Sequence, residues 1–219
     1  MIEDGDKIAV GVSGKDSITL LIALRRLQTF LDKKFFLEAV TLTLGIGEYN
    51  LNYVKNLCEN IGVNYTIKET LIGKIVFEEK SEENPCSLCA NMRRGALNNV
   101  AKELGCNKIA LGHHSDDVIE TLMLSTLFEG RIYTFSPVTY LSRKELYVIR
   151  PLLYAKENEI KGFINANNII PIKNTCKVDG KTKREYIKNL LKEICKENKY
   201  TKENIFGAIK RSSIDGWNV

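Results

Sequence analysis

The 219-residue chain carries 32 Lys+Arg against 27 Asp+Glu, a net +5, with 44% hydrophobic residues, 4 prolines and 6 cysteines. That balance excludes collagen-like, mucin-like and disordered classes, and no apolar run approaches the roughly 20 residues that span a bilayer. The N-terminus (MIEDGD) is acidic and lacks the basic and apolar regions of a signal peptide, so the sequence reads as a soluble cytoplasmic protein whose core needs no disulfide staples.

Residues 7–12 (KIAVGV) are a short apolar run ending at a glycine, the pattern of a buried strand. Residues 17–31 follow with Ile18, Leu21, Ile22, Leu24, Leu27 and Leu31 on one helical face. The same reading gives a strand at 36–44, a helix at 50–61, a strand at 63–67, a helix at 91–104, a strand at 108–112 and a helix at 116–128. Strand and helix alternate about every 20–30 residues, which predicts βαβ units on a parallel sheet. Residues 147–150 suit an edge strand, and helices are expected at 157–166 and 183–197. We divide the chain into a sheet domain, 1–150, and a helical extension, 151–219.

Two turns carry chemistry. In an open parallel sheet, ligands bind beyond the carboxyl ends of the strands. The first strand ends in Gly11-Val12-Ser13-Gly14-Lys15-Asp16-Ser17. Small residues there let backbone N–H groups approach an anion, and the helix N-terminus adds the positive end of its dipole. Ser13 and Ser17 offer hydroxyls, Lys15 a positive charge, and Asp16 suits Mg²⁺ or a turn contact. The loop is neither Walker A, whose glycine and Ser/Thr positions hold Ala9 and Asp16, nor a G-x-G-x-x-G fingerprint. The second turn, Gly112-His113-His114-Ser115-Asp116-Asp117, follows another strand and should face the same cleft; it holds both histidines of the chain.

The cysteines divide. Cys58, Cys106 and Cys195 lie in apolar or helical contexts and read as packing residues. Cys86 and Cys89 form a C-x-x-C beyond the acidic stretch 78–83, and Cys176 is the best third ligand by loop context. Spacing alone leaves zinc, iron–sulfur and a redox dithiol open. Arg93 and Arg94 come directly after, and arginine binds phosphate bidentately. Residues 171–211 hold 12 Lys/Arg and 5 Asp/Glu, which fits either a solvated helix face or a surface for polyanionic nucleic acid.

The segment Ser13-Gly14-Lys15-Asp16-Ser17 resembles the S-G-G-x-D-S loop of the N-type ATP pyrophosphatases, with one glycine fewer. Together with Cys86-Ser87-Leu88-Cys89, Arg93-Arg94-Gly95, Gly112–Asp117, Glu120-Thr121, Ile149-Arg150-Pro151-Leu152 and Asn174-Thr175-Cys176, the chain resembles the tRNA 2-thiocytidine synthetase (TtcA) family from residue 5 to about 211. The resemblance implies a Rossmann-like, doubly wound α/β fold of the adenine nucleotide α-hydrolase type. It implies ATP, Mg²⁺ and a [4Fe–4S] cluster on Cys86, Cys89 and Cys176. The implied nucleotide-binding residues are Ser13, Gly14, Lys15, Asp16, Ser17, Thr43, Gly112 and His113, and the implied catalytic residues are Lys15, Asp16, Arg93 and Asp117. The implied reaction is adenylation of a tRNA pyrimidine 2-carbonyl followed by sulfur insertion, at cytidine 32. A 2-thiouridine product or a ligase acting on a small molecule is the alternative. The partners expected are tRNA, a sulfur donor (a cysteine desulfurase or inorganic sulfide) and a second copy in a homodimer, with no membrane.

Overall fold

The computed structural model describes residues 1–46, 50–79, 85–172 and 182–217. Its elements run β1 (Lys7–Gly11), α1 (Lys15–Leu27), β2 (Phe36–Thr43), α2 (Asn52–Ile61), β3 (Asn64–Glu69), α3 (Ile72–Lys74), α4 (Pro85–Glu103), β4 (Lys108–Ala110), α5 (Ser115–Glu129), β5 (Val138–Leu141), β6 (Leu146–Ile149), α6 (Glu157–Ala166), α7 (Lys183–Glu197) and α8 (Thr201–Lys210), with a π-helical turn at Ile75–Glu79 after α3.

The six strands lie in the order β3-β2-β1-β4-β6-β5. All neighbours pair in parallel except β5 with β6. The chain moves from β1 outward through β2 to β3, then returns to lay β4 on the other side of β1. The topological switch point therefore falls between β1 and β4, which is where an open α/β sheet binds ligands. Both sequence turns, after β1 and after β4, open onto it.

Both faces of the sheet are covered, as the continuous apolar runs of β1 and β2 require. Ile8, Val10 and Val12 pack with Ile18, Leu21 and Leu24 of α1, Val54 and Cys58 of α2, and Ile160 and Ile164 of α6. Ala9, Val40 and Ile109 face the other way, against Leu97, Val100 and Ala101 of α4. Helix α5 is sandwiched by the C-terminal helices, with Ile119 against Ile187 and Leu191, and Val118 against Ile209 and Trp217. Cys58 and Cys106 are buried and their thiols are pushed up to about 11 by burial, while Cys195 on α7 is half-buried.

The structure corrects four expectations. Residues 146–149 form an interior strand, because an unforeseen hairpin adds β5 as the edge. Helix α4 begins at Pro85 rather than 91, which places the C-x-x-C inside it. Helix α1 starts at Lys15 and stops at Leu27 instead of spanning 17–31. Helix α8 was not foreseen. Of the acidic stretch 78–83, residues 80–83 lie outside the described residues, as do Asn174, Thr175 and Cys176 and the rest of 173–181. Among the described residues no helix is long and apolar enough to cross a membrane.

Candidate active site

The turn after β1 closes on Ser17. Its buried Oγ accepts from the N–H groups of Ser13 (2.8 Å) and Gly14 (3.0 Å) and donates to the Gly14 carbonyl (3.0 Å). This hydroxyl thereby occupies those two N–H groups and fixes the turn leading into α1, whose own first-turn N–H groups have no intrahelical acceptor. Lys15 lies 2.7 Å from Asp16 and 3.3 Å from Glu157. Burial works against its charge, yet the two carboxylates raise its pKa overall, so the side chain is a fixed cation at the mouth of the loop.

The second turn wedges against the first. A Cβ on Gly112 would sit 2.8 Å from the Asp16 carbonyl carbon and 2.9 Å from the Ser17 nitrogen, so only glycine fits. His114 is 3% exposed; its Nε2 lies 3.8 Å from Asp16 and 3.5 Å from Asp117, and the two turns thus meet across one imidazole. Asp117 accepts from the His114 N–H (3.1 Å), capping α5. His113 packs on Phe135 with centroids 4.7 Å apart, and burial pushes its pKa down to about 4, so the ring is neutral at pH 7. Among the described residues the Nδ1 atoms of His113 and His114 are buried with no hydrogen-bond partner.

The C-terminal helices clamp the acidic face of α5. Arg184 reaches Asp117 (3.0 Å), Glu120 (3.4 Å) and Thr121 (3.3 Å), and Lys188 stands 3.9 Å from Glu120. Lys202 reaches Asp116 (2.6 Å), whose other oxygen accepts from the Glu157 N–H (2.8 Å). Burial pushes Asp116 up, but these two contacts hold its carboxyl below the usual range. Glu120 behaves in the opposite way. Burial pushes it up to about 7, which Lys188 and Arg184 only partly offset and Asp117 and Asp116 reinforce. Between about pH 4.5 and 7 the folded state therefore keeps a proton that the unfolded chain has lost, and the stability due to this residue falls as pH rises through that window. Urea unfolding should show Glu120→Gln gaining on the wild type by up to about 1.4 kcal/mol per pH unit across it. A constant difference from pH 4.5 to 7 would mean that Glu120 is ionised throughout.

Cys86 and Cys89 stand three apart in the first turns of α4, on one helix face. Cys89 is 9% exposed among Leu44, Ile72 and Val76, and Cys86 is half-buried. Arg93 and Arg94 are exposed one turn further on, and Arg93 has no ion-pair partner among the described residues. Thr43 ends β2 on the same rim, its carbonyl taking the Thr70 hydroxyl at 2.7 Å. Among the described residues no three metal-binding side chains cluster, and Cys176, the third ligand expected, lies outside them.

The structure thus joins Ser13, Gly14, Lys15, Asp16 and Ser17 to Gly112, His114 and Asp117 in one cleft, with His113 beside it. Sequence reasoning missed Glu157, Lys202 and Phe135. None sits in a motif and each arrives from a distant element, although Lys202, like Arg184, falls within the basic stretch 171–211.

The PP-loop domain family matches residues 3–194. The tRNA-cytidine(32) 2-sulfurtransferase of Pelobacter propionicus is 38% identical over 95% of this chain and 79% of its own length. That of Geobacter sulfurreducens is 38% identical over 95% and 83%, and that of Dechloromonas aromatica 39% over 96% and 74%. The chain belongs to the PP-loop family of tRNA-cytidine(32) 2-sulfurtransferases. Its fold is also that of the U34-tRNA thiolase NcsA from Methanococcus maripaludis, solved with its [4Fe-4S] cluster, at a TM-score of 0.76 and 24% identity over 94% of this chain and 71% of that one. The family's nucleotide is ATP.

Proposed function

We propose that this protein is a cytoplasmic tRNA sulfurtransferase that converts cytidine 32 to 2-thiocytidine at the expense of ATP. One observation carries the reading: the anion-binding turn after β1 and the His/Asp turn after β4 are wedged together at the switch point, and the sheet face above them bears a C-x-x-C helix with arginines one turn on. A small-molecule ligase would use the first pair and leave the thiols idle.

The 2-carbonyl oxygen of the base attacks the α-phosphorus of ATP and pyrophosphate leaves. Hydrosulfide, taken from an inorganic pool or released from a cysteine desulfurase's persulfide by a thiol reductant, then adds at C2, AMP departs with the former carbonyl oxygen, and C2 is left double-bonded to sulfur. No net oxidation of the base occurs. The first-turn N–H groups of α1 and the ammonium of Lys15 grip the polyphosphate, with Ser17 holding the loop through the Ser13 and Gly14 N–H groups. Asp16 and Asp117, both against His114, provide the carboxylates that Mg²⁺ needs beside the phosphates. Arg93, uncommitted to any described acid, neutralises charge developing on the leaving pyrophosphate.

The donor chemistry fits a [4Fe–4S] cluster: two thiols on one helix face, one buried in an apolar pocket and one half-buried, at a helix N-terminus that favours negative charge. Cys86, Cys89 and Cys176 would hold it, and with three protein thiolates it supplies one open coordination position for sulfide.

Anaerobically reconstituted protein, given tRNA, ATP and sulfide, should release AMP and pyrophosphate and yield 2-thiocytidine on nucleoside analysis. ATP turnover with no thiolated nucleoside would overturn the reading. The basic stretch 171–211 should also make tRNA affinity fall steeply with salt, about 0.7–0.9 in log–log slope per phosphate neutralised. A slope near zero would remove that stretch from the binding surface.

A further inference from the structure

Arg150 follows β6 on the carboxyl rim of the sheet and is 9% exposed. Its Nη1 donates to the Ser136 carbonyl (2.6 Å) and to the Thr139 hydroxyl (3.2 Å), both neutral acceptors. Its Nε is buried without a partner, and Nη2 makes no hydrogen bond among the described residues but is not sealed from solvent as Nε is. No described carboxylate lies within ion-pair reach; the charged or ionisable neighbours it feels are Tyr133 and a second cation, Arg94. Burial pushes the guanidinium down to about 10, which leaves it a cation at neutral pH.

A buried charge without a counter-charge is costly, and proteins rarely leave one so. The Phe135 ring, 5.0 Å from the guanidinium carbon, offsets part of that cost. What remains unpaired is the Nε–Nη2 edge, on which Nε is enclosed and Nη2 is the donor within reach of an oxyanion from outside. We infer that Arg150, flanked by Arg94, is a second anion site that takes a phosphodiester of the RNA substrate beside the nucleotide being modified. The inference rests on the tRNA reading above.

Position separates this anion from the nucleotide. β6 is two strands from β1, with β4 between, so at about 4.8 Å per strand Arg150 stands roughly 10 Å from the phosphate turn. Lys15 and the first-turn N–H groups of α1 serve that turn. Arg94 lies on α4, the thiol helix, five residues beyond Cys89, and its charge is felt at Arg150.

The test compares the wild type with Arg150→Gln and Arg94→Gln, measuring affinity for a tRNA anticodon stem-loop from 50 to 300 mM KCl and, separately, affinity for ATP. Each variant should bind the stem-loop about tenfold more weakly, with a log–log salt slope shallower by about 0.7–0.9, and should keep its ATP affinity. A single neutral methylphosphonate in the loop should cost the wild type the same tenfold and cost Arg150→Gln nothing. Arg94→Gln, on an exposed helix face, carries the test if Arg150→Gln does not fold. Unchanged RNA affinity and slope in both variants overturn the site, and a loss confined to ATP assigns the anion to the nucleotide instead. A wild type that turns over ATP but binds no stem-loop sinks the tRNA reading itself, an outcome visible before any variant is compared.

Discussion

Cys86→Ser and Cys89→Ser should each abolish tRNA thiolation, by about 100-fold or more, while ATP binding survives. The two thiols lie one helical turn apart and more than a turn away from anything that touches the phosphate loop, which is formed by β1, α1 and the turn after β4. Serine preserves shape and removes only the soft ligand that iron requires. Iron and acid-labile sulfide content after anaerobic purification should fall in step with activity. Cys106→Ser is the matched control: its thiol is buried, is pushed up to about 11 and packs in the core beside Ala101 and Ile109, so it should lose stability and keep its iron. Full thiolation by the Cys86→Ser/Cys89→Ser protein would remove the thiols from the reaction, and stoichiometric zinc in a colourless wild type would replace iron as their metal.

The parallel sheet was legible because β1, β2 and β4 are short apolar runs separated by amphipathic helices, a pattern with few topological solutions. The site was legible for a related reason: the ends of β1 and β4 flank the switch point, and both carry glycine followed by polar residues. Other features depended on contacts between distant residues. The β5–β6 hairpin is four residues a side, half exposed, and turns through Glu145 at a φ of 50° rather than through a glycine, so no turn signal announced it. Arg150 then read as the end of an edge strand, whereas β5 covers it and leaves its guanidinium enclosed. The start of α4 was in plain view, since Pro85 suits a first helical position, yet the acidic stretch before it drew attention to a linker. The clamp of Arg184, Lys188 and Lys202 on α5 spans more than 60 residues of sequence, and charge counting alone could not distinguish those bases from solvated ones. That clamp changes the meaning of the basic stretch: part of its charge is spent on Asp116, Asp117 and Glu120, leaving the remainder to meet an RNA.

Two glycines at the phosphate turn should fail for different reasons. Gly112→Ala drives a Cβ to within 2.8–2.9 Å of the backbone of Asp16 and Ser17, atoms that belong to the first turn of α1 and cannot swing away as a side chain would. The two turns must part, at a cost of about 1–3 kcal/mol in unfolding free energy. Ser17 moves with them, and with it the hydroxyl that holds the Ser13 and Gly14 N–H groups; a displacement near 1 Å costs about 100-fold in rate. Gly14→Ala meets nothing within 4 Å, and its extended backbone is open to any residue. Its stability should fall by less than about 1 kcal/mol, the difference between glycine and alanine at a helix N-cap. If glycine stands there because a phosphate comes close to the backbone, ATP affinity should nonetheless drop at least tenfold, since the added methyl occupies the space the anion needs. Chemical denaturation and ATP titration of the two variants separate these causes. Normal ATP affinity in Gly14→Ala would mean that the polyphosphate does not approach this turn, and normal turnover in Gly112→Ala would mean that the wedge between the two turns does not set the site.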